Sequence, residues 1–572
     1  MKIYVNNTEV EAKPGETILE VLKREGIEIP TLCHMDGMIP SGACRICVVE
    51  IEGQKNLIPS CSYPVSEGLK IKTNSPRVIN ARKTIIELLI SSHPDECLYC
   101  DRQDSCELLS LARRYGVIGQ RFVKTERDLK PDFSSPSIVR DPNKCILCGR
   151  CVRVCEEIQK IGCIDFIKRG FRSQISTAFE SSINVTSCVN CGQCINVCPT
   201  GALRENNNIR EVMLAIESGK FVVAQHAPAV SVALGEEFGF PPGKDVDGLM
   251  VSAMRKIGFK AVFDTSFAAD LTIMEEASEL VERIKSGKKN MPMFTSCCPG
   301  WVKYVETFYP DYIKNLSTCK SPHQMLGAII KSYYAKKNNL DPKDIVVVSV
   351  MPCTAKKFEV KRNELKSGNF EDVDISITTR ELARLISMNN INLKNLKPES
   401  ADMPFGQRSG AGKIFGASGG VCEAALRTAY HLLTGKELKE LDFQEVRGLN
   451  GVKKTKVNIN GKDIKIAVVS GLGNVKELLE SADFESEYDF VEVMACPGGC
   501  INGGGQPFLK NKKALYDRMK ALYDIDSREK IRTSHSNPAI KSLYEEFLGR
   551  PLGEKSHHLL HTKYSKRSVV DR

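Results

Sequence analysis

The chain is poor in aromatic side chains, with one tryptophan and 7% aromatic residues over 572 positions. Few planar platforms are therefore available for base stacking. The formal charge of +10 does not by itself argue for nucleic acid. No apolar run reaches the ~18 residues of a membrane-spanning helix, so no membrane span is expected. The opening MKIYVNNTEVEA alternates like a strand instead of presenting a basic then apolar leader. The closing KYSKRSVVDR has no prenylation box. A complete dinucleotide-binding glycine fingerprint is also missing, since GLGNVKE at 471–477 lacks the full pattern. These absences point to a cytoplasmic protein that binds neither nucleic acid nor membrane.

The chain is rich in cysteine, with 23 residues. Without an export signal, clustered thiols read as metal ligands rather than a disulfide framework. Nineteen of them fall into five groups with iron–sulfur ligand spacing. Bound clusters are anionic and offset much of the positive charge, while local basic patches remain able to steer an acidic electron carrier. Hydrophobic content of 42% and charged content of 26% are ordinary for globular protein. The length suggests about three to five domains.

Residues 1–78 read as a small β-rich domain. KIYVNNTEVEA gives a hairpin around Asn6-Asn7, ETILEVLKREG a helix ending at Gly26, and CVVEIEG a strand. Residues 79–125 open with the helical stretch RVINARKTIIELLISSH. The charged stretch at 124–144 is read as a connector, and 126–209 holds the same cysteine string twice. From 210 to 530, apolar runs such as KFVVAQHAP, KAVFDTSF, DIVVVSVMPC, DIKIAVVSG and YDFVEVMAC alternate with helical patterns. Such alternation predicts an α/β domain. Cys353 and Cys496 follow strand-like runs, and ligand sites gather at the carboxyl ends of strands. Residues 531–572 read as a helical, then basic, peripheral extension.

Cys33, Cys44, Cys47 and Cys61 supply four thiolates in the β-rich domain. Four cysteines also suit zinc. The loop SGACRIC resembles that of 2Fe–2S ferredoxins, although its spacing is not plant-type. HPDECLYCDRQDSC offers His93, Cys97, Cys100 and Cys106. Zinc is the rival there too, and a histidine-ligated 4Fe–4S cluster is favoured by the neighbouring sites. CILCGRCVRVC and CVNCGQCINVCP both have the run of bacterial two-cluster ferredoxins, in which the fourth cysteine crosses over. One 4Fe–4S cluster is thus assigned to Cys145, Cys148, Cys151 and Cys198, the other to Cys188, Cys191, Cys194 and Cys155. Cys163 lies outside the spacing and reads as a buried thiol, as does Cys422.

The fifth group is scattered over TSCCPGW (295–301), MPCTAKKFE (351–359) and EVMACPGGCINGGGQP (492–507). Glycines around Cys496 and Cys500 permit close approach of backbone to a bulky group. These three segments resemble, in order, the signatures of FeFe hydrogenases. The N-terminal arrangement is similar to the large clostridial type with four accessory clusters, and the resemblance spans about residues 1–530.

The resemblance implies a multidomain α+β and α/β architecture: a β-grasp 2Fe–2S domain, a His/Cys cluster domain, a two-4Fe–4S ferredoxin-like domain, and a large α/β catalytic domain of two lobes. It implies an H-cluster, a 4Fe–4S cubane joined to a di-iron subsite with CO, cyanide and azadithiolate ligands. Cys298, Cys353, Cys496 and Cys500 are implied as cubane ligands, with Cys500 bridging. Cys297 is implied as proton donor to the bridging amine. Glu276, Glu279 and Arg283 share one face of a helix by spacing, a pattern usually found on solvated faces. The resemblance makes them, with Ser317, the proton relay. Lys356 is implied to bond a cyanide ligand. Met351, Met494, Pro228 and Phe415 are implied to pack around the di-iron unit, with backbone near Ala227 and Pro228. Two departures stand out. His323 replaces a familiar glutamine, and Cys319 occupies a small-residue position near the relay.

The expected activity is 2H⁺ + 2e⁻ ⇌ H2 by a monomer fed by ferredoxin or flavodoxin, its di-iron unit supplied by maturation enzymes. An electron-relay protein like the large cluster-bearing component of respiratory complex I accounts only for the first 210 residues. A non-catalytic scaffold or hydrogen sensor is expected to disturb Cys297 or Glu276, and both are present.

Overall fold

The structure is a computed structural model that describes residues 1–568 except 120, 126, 288, 289, 460 and 510. One residue of the proposed connector, Glu126, and the last four of the basic terminus lie outside the described residues.

At the N-terminus, five short strands form a mixed sheet. The hairpin Lys2–Val5/Thr8–Glu11 turns at Asn6 and Asn7, both left-handed, a conformation asparagine tolerates. Ile18–Arg24 is the helix packed on this sheet, opened by a Thr17–Glu20 capping box. Gly26 follows with φ 71° and stops it. The helix Pro76–Ser91 leads into the His/Cys segment.

The two-cysteine-run region is held by two small antiparallel strand pairs, Ile138–Arg140 with Leu203–Glu205 and Asp165–Ile167 with Gln174–Ser176. The sequence repeat is a conformational repeat. Leu147 and Gly149 in one run, and Asn190 and Gly192 in the other, all have positive φ. Each run therefore curls its cysteines inward before a short helix at Arg150–Arg153 or Gln193–Val197.

Two four-stranded sheets organise the larger, C-terminal part of the chain. The first is wholly parallel, ordered Ala261–Asp264, Phe221–His226, Ile345–Met351, Ile375–Thr378. The second is ordered Met293–Phe294, Phe490–Met494, Lys462–Ser470, Val452–Ile459, with an antiparallel edge pair. Nearly continuous apolar strands suit sheets covered on both faces. A 21-residue helix, Thr265–Lys285, is capped by Asp264 and packs against helices Pro322–Ile329, Gly410–Ile414 and Gly420–Thr434. No helix among the described residues is long and apolar enough to cross a membrane.

The C-terminal segment is not peripheral. Ile540, Leu543, Tyr544, Leu548, Leu559 and Leu560 are buried in the same core as Phe263, Phe267 and Val347. Arg567 joins Arg362 on the fully buried Glu306. Its basic, polar end misled the sequence reading because the apolar positions are spread thinly over three short helices.

Candidate active site

The first sheet brings Ala227 and Cys353 to the carboxyl ends of adjacent strands, and the second brings Cys298 and Cys496 to the ends of its own. The two sets of strand ends face one cavity of about 90 Å3. It is lined by Cys297, Cys298, Cys353, Cys496 and Cys500, and also by Lys356, Met351, Met494, Ala227, Pro228 and Phe415. All five thiols, the lysine, the four packing residues and Ala227 expected from sequence thus meet at one place.

The cavity wall has room for a bulky group because it lacks side chains where backbone crowds. A Cβ on Gly503 meets the Pro352 carbonyl oxygen at 2.1 Å, and one on Gly499 meets the Ser418 nitrogen at 2.6 Å. Gly499 also has φ 95°, which other residues rarely adopt. Four soft thiols, an apolar lining and this cradle fit a cubane joined to a second iron unit.

The long helix presents Glu276, Glu279 and Arg283 inward rather than to solvent. Glu276 is 1% exposed and Glu279 8%. Ser317 Oγ donates to Glu279 Oε2 at 3.0 Å, and Arg283 Nη2 donates to Glu279 Oε1 at 2.6 Å. Neither oxygen of Glu276 has a hydrogen-bond partner among the described residues. Burial, and then the Glu279 charge, push its carboxyl up to about 8, with Ser317 opposing from nearby. Burial, and then the charge of Glu276, raise the Cys297 thiol as well. A protonated carboxyl and a protonated thiol within electrostatic reach of each other suit proton exchange near neutral pH.

Lys356 Nζ donates to the Cys297 carbonyl at 3.2 Å and pairs with Glu359 at 2.7 Å. Burial opposes its charge, but Glu359 outweighs this and raises its pKa. His323 Nε2 lies 2.6 Å from the same Glu359 oxygen. Burial, and then Lys356, lower His323 to about 4, so it is neutral. Glu359 was not singled out in the sequence, although its i+3 spacing from Lys356 was a usable signal. Cys319 is fully buried, and its sulfur lies within 4.8 Å of ligand atoms of Glu279 and His561.

The accessory sites are also assembled. Cys33 is within hydrogen-bonding reach of Cys44 and Cys61, and Cys47 of Cys61. His93, Cys97, Cys100 and Cys106 line one small cavity. His93 Nδ1 meets the Pro94 carbonyl at 3.2 Å, while its buried Nε2 has no partner among the described residues, an arrangement that frees Nε2 for a metal. Cys145, Cys148, Cys151 and Cys198 line another cavity, consistent with the crossover. The fourth set includes an addition, because Cys163 Sγ stands 3.6 Å from Cys155 Sγ and also reaches Cys188. Cys163 is therefore beside the thiols expected to hold the fourth cluster, not in a remote core.

Contacts join these sites to one another and to the cavity. Arg153 donates to the Cys33 carbonyl, and Arg150 pairs with Glu107 at 2.7 Å. Arg102 donates to the Cys198 carbonyl at 2.9 Å. A Cβ on Gly201 meets Cys100 Sγ at 2.9 Å. The run at 188–198 abuts the cavity: Thr354 donates to the Asn190 carbonyl at 2.8 Å, and Gln193 to the Asn502 carbonyl at 2.9 Å. At Gly504, even a Cβ collides with the Cys191 carbonyl at 2.5 Å.

Known proteins match along this whole layout. Residues 1–76 match a 2Fe-2S iron-sulfur cluster binding domain, and 82–121 the NADH-ubiquinone oxidoreductase-G iron-sulfur binding region. Residues 135–204 match the ferredoxin-like domain of NADH-quinone oxidoreductase subunit 3. Residues 220–504 match the C-terminal domain of the iron only hydrogenase large subunit, and 512–567 the iron hydrogenase small subunit. The chain is 48% identical to an NADP-reducing hydrogenase subunit of Solidesulfovibrio fructosivorans, covering 99% of both chains. It is 40% identical to iron hydrogenase 1 of Clostridium pasteurianum, over 99% of this chain and 100% of that one. A solved FeFe hydrogenase from Chlamydomonas reinhardtii is similar at 40% identity and TM-score 0.57, over 63% of this chain and 99% of that chain. A thiol-lined cavity at the meeting of two sheets, fed by iron–sulfur domains and matched along its length by such relatives, places the chain in the FeFe (iron-only) hydrogenase family, oxidoreductases that interconvert protons and H2 at an H-cluster.

Proposed function

We propose that this chain carries one 2Fe–2S cluster, three accessory 4Fe–4S clusters, and an H-cluster, with the ligand sets named above. The convergence of Cys298, Cys353, Cys496 and Cys500 on one buried cavity supports this reading most directly. When bound there, the H-cluster supplies the redox and hydrogen-forming chemistry. Cys500 is the residue proposed to bridge cubane and di-iron unit. Lys356 offers a cationic donor to a cyanide nitrogen, held in place by Glu359. Met351, Met494, Pro228 and Phe415 exclude water from the cavity.

The chain's own proton chemistry runs along the long helix. Cys297 gives or takes a proton at its Sγ. Glu276, protonated up to about pH 8, restores that proton, and Ser317 links it to Glu279. Arg283 stands at the outer end.

The order of contacts supports a branched wire. The 2Fe–2S and the His/Cys sites both touch the Cys145/Cys148/Cys151/Cys198 site, which leads through the Cys188 set to the cavity. Reduced ferredoxin or flavodoxin is the proposed donor to a cytoplasmic monomer. Nineteen reduced ligand thiols favour that compartment. A second reading has specific support: the relative named as an NADP-reducing hydrogenase subunit matches at 48% identity over 99% of the chain. Under it, a nicotinamide-oxidising partner protein docks at the N-terminal sites.

The test is hydrogen evolution under strict anoxia, by protein made with the di-iron maturation enzymes. Reduced viologen, reduced ferredoxin and NADPH are compared as donors. Rapid evolution with viologen and ferredoxin supports the first reading. Evolution with viologen alone, restored with NADPH by added partner proteins, supports the second. No evolution from a fully clustered protein overturns the catalytic roles.

A further inference from the structure

The C-terminal segment delivers an imidazole to the outer end of the relay. His561 is 5% exposed and its backbone pairs with Cys319 as an isolated bridge. Its Nδ1 lies 2.8 Å from Thr318 Oγ1. The same Oγ1 lies 3.3 Å from Glu279 Oε2, where Ser317 arrives at 3.0 Å. On the other side, His561 Nε2 meets Glu275 Oε2 at 3.1 Å. Tyr544 and Ser556 also donate to Glu275 and fix it. One turn earlier, the exposed His557 stacks on the His561 ring, with centroids 4.7 Å apart and planes 3° apart. Thus one hydroxyl separates Glu279 from an imidazole, and one ring separates that imidazole from solvent.

Arg283, the other partner of Glu279, is badly suited to pass protons. A guanidinium stays protonated at any pH the enzyme meets. Its hydrogens are also committed: Nη1 donates to the Asn290 and Asn315 carbonyls, and Nη2 to Leu316 and Glu279. This is a clamp on a carboxylate. Imidazole, by contrast, changes charge in the range where protons must be exchanged.

We propose that His561, acting through the Thr318 hydroxyl, exchanges protons with Glu279, and that Arg283 only orients that carboxylate. This rests on the reading of Glu279, Ser317, Glu276 and Cys297 as a relay. The transfer balances as two coupled hops. Imidazolium His561 gives its Nδ1 proton to Thr318 Oγ1 while the Thr318 hydroxyl proton passes to Glu279 Oε2. His561 is left neutral, with its Nε2 hydrogen on Glu275, and regains a proton at Nδ1 from solvent water before the next transfer. Running the hops backward carries protons outward during hydrogen oxidation.

The groups facing His561 are Glu275 and Glu279 on the long helix, Cys319 and Thr318 on the facing segment, and His557 on its own segment, with Tyr544 behind Glu275 and Lys563 near His557. Lys320, next along the facing segment, is committed to Asp372 at 2.7 Å. Glu275 meets the imidazole directly, and Glu279 meets it through the Thr318 hydroxyl.

The test compares His561→Gln, His561→Ala, Thr318→Val, Arg283→Met and Glu279→Gln in matured enzyme. Hydrogen evolution and oxidation are followed from pH 5 to 9, with infrared CO and cyanide bands and melting temperature as independent readouts. The expected result is turnover lower by about a hundredfold in Thr318→Val and His561→Gln, with unchanged infrared bands and a flattened profile near neutrality. Added imidazole should restore part of the rate to His561→Ala alone. Wild-type rates and profiles in Thr318→Val, with Glu279→Gln inactive, overturn the branch while sparing the relay. A fully active Glu279→Gln overturns the relay and the branch with it. Should His561→Gln lose its fold with its Glu275 contact, Thr318→Val still decides, because it removes only a hydroxyl.

Discussion

His323 Nε2 lies 2.6 Å from Oε2 of Glu359, the same oxygen that holds Lys356 at 2.7 Å. A fully buried carboxylate is thus shared by a neutral imidazole and an ammonium. Lys356, and then His323, hold Glu359 down to about 2 against the cost of burial. The residue that departs from the familiar pattern is therefore tied to the cation facing the cavity, although it contributes no charge of its own.

Glu359→Gln should strand the Lys356 ammonium. Breaking a buried pair from one side costs about 3–5 kcal/mol, so the melting temperature should fall and the cyanide bands should move. His323→Gln keeps a neutral donor beside Glu359 and should leave both nearly unchanged. Equal losses in the two variants would contradict the shared-carboxylate arrangement.

Cys297→Ala should retain the full set of CO and cyanide infrared bands while turnover is abolished. The thiol lies in the cavity wall next to Cys298, so the comparison separates cofactor assembly from proton delivery. Wild-type rates in the variant would refute a proton role.

Glu276 fixes a pH dependence of stability. Its folded pKa is raised from an ordinary value of 4.5 to about 8, so between these values the folded chain holds a proton that the unfolded chain releases. The resulting penalty grows as pH rises from 4.5 and is complete above 8. Glu276→Gln has no such penalty. Its melting temperature relative to wild type should therefore increase from pH 5 to pH 9, while its activity is low throughout. A pH-independent difference would show that Glu276 ionises normally.

His93→Cys should preserve a cluster at the second accessory site and lower its potential, because a thiolate adds negative charge where a neutral imidazole stood. Potentiometric electron paramagnetic resonance reads both properties. An unchanged spectrum and potential would mean that His93 Nε2 ligates nothing, despite lying buried and unpartnered among the described residues.

Removing residues 531–568 should abolish soluble expression rather than trim a tail. The deletion uncovers Phe263 and Phe267, and takes Arg567 from Glu306. Isolation of a folded, fully clustered truncated protein would contradict this.

Much of the site was legible because ligand chemistry writes itself into local spacing. The runs at 145–155 and 188–198 place three sulfurs on one loop, and the left-handed residues at Leu147, Gly149, Asn190 and Gly192 are what that loop requires. The strands before Ala227, Cys353 and Cys496 were readable as apolar runs. The tail was misjudged because its burial depends on partners hundreds of residues away: Tyr544 on Glu275, and His561 between Glu275 and Thr318.

Sequence alone determined which residues are of a type and spacing able to bind metal and which segments are strand or helix, since both follow from residue type and short-range period. Only the tertiary structure decided what those residues face. The same row of Glu276, Glu279 and Arg283 suits a solvated helix face equally well, and what fits its carboxyls for the proposed proton path is burial. Burial sets the charge state of each carboxyl, and it arises from helices and a C-terminal segment distant in the chain.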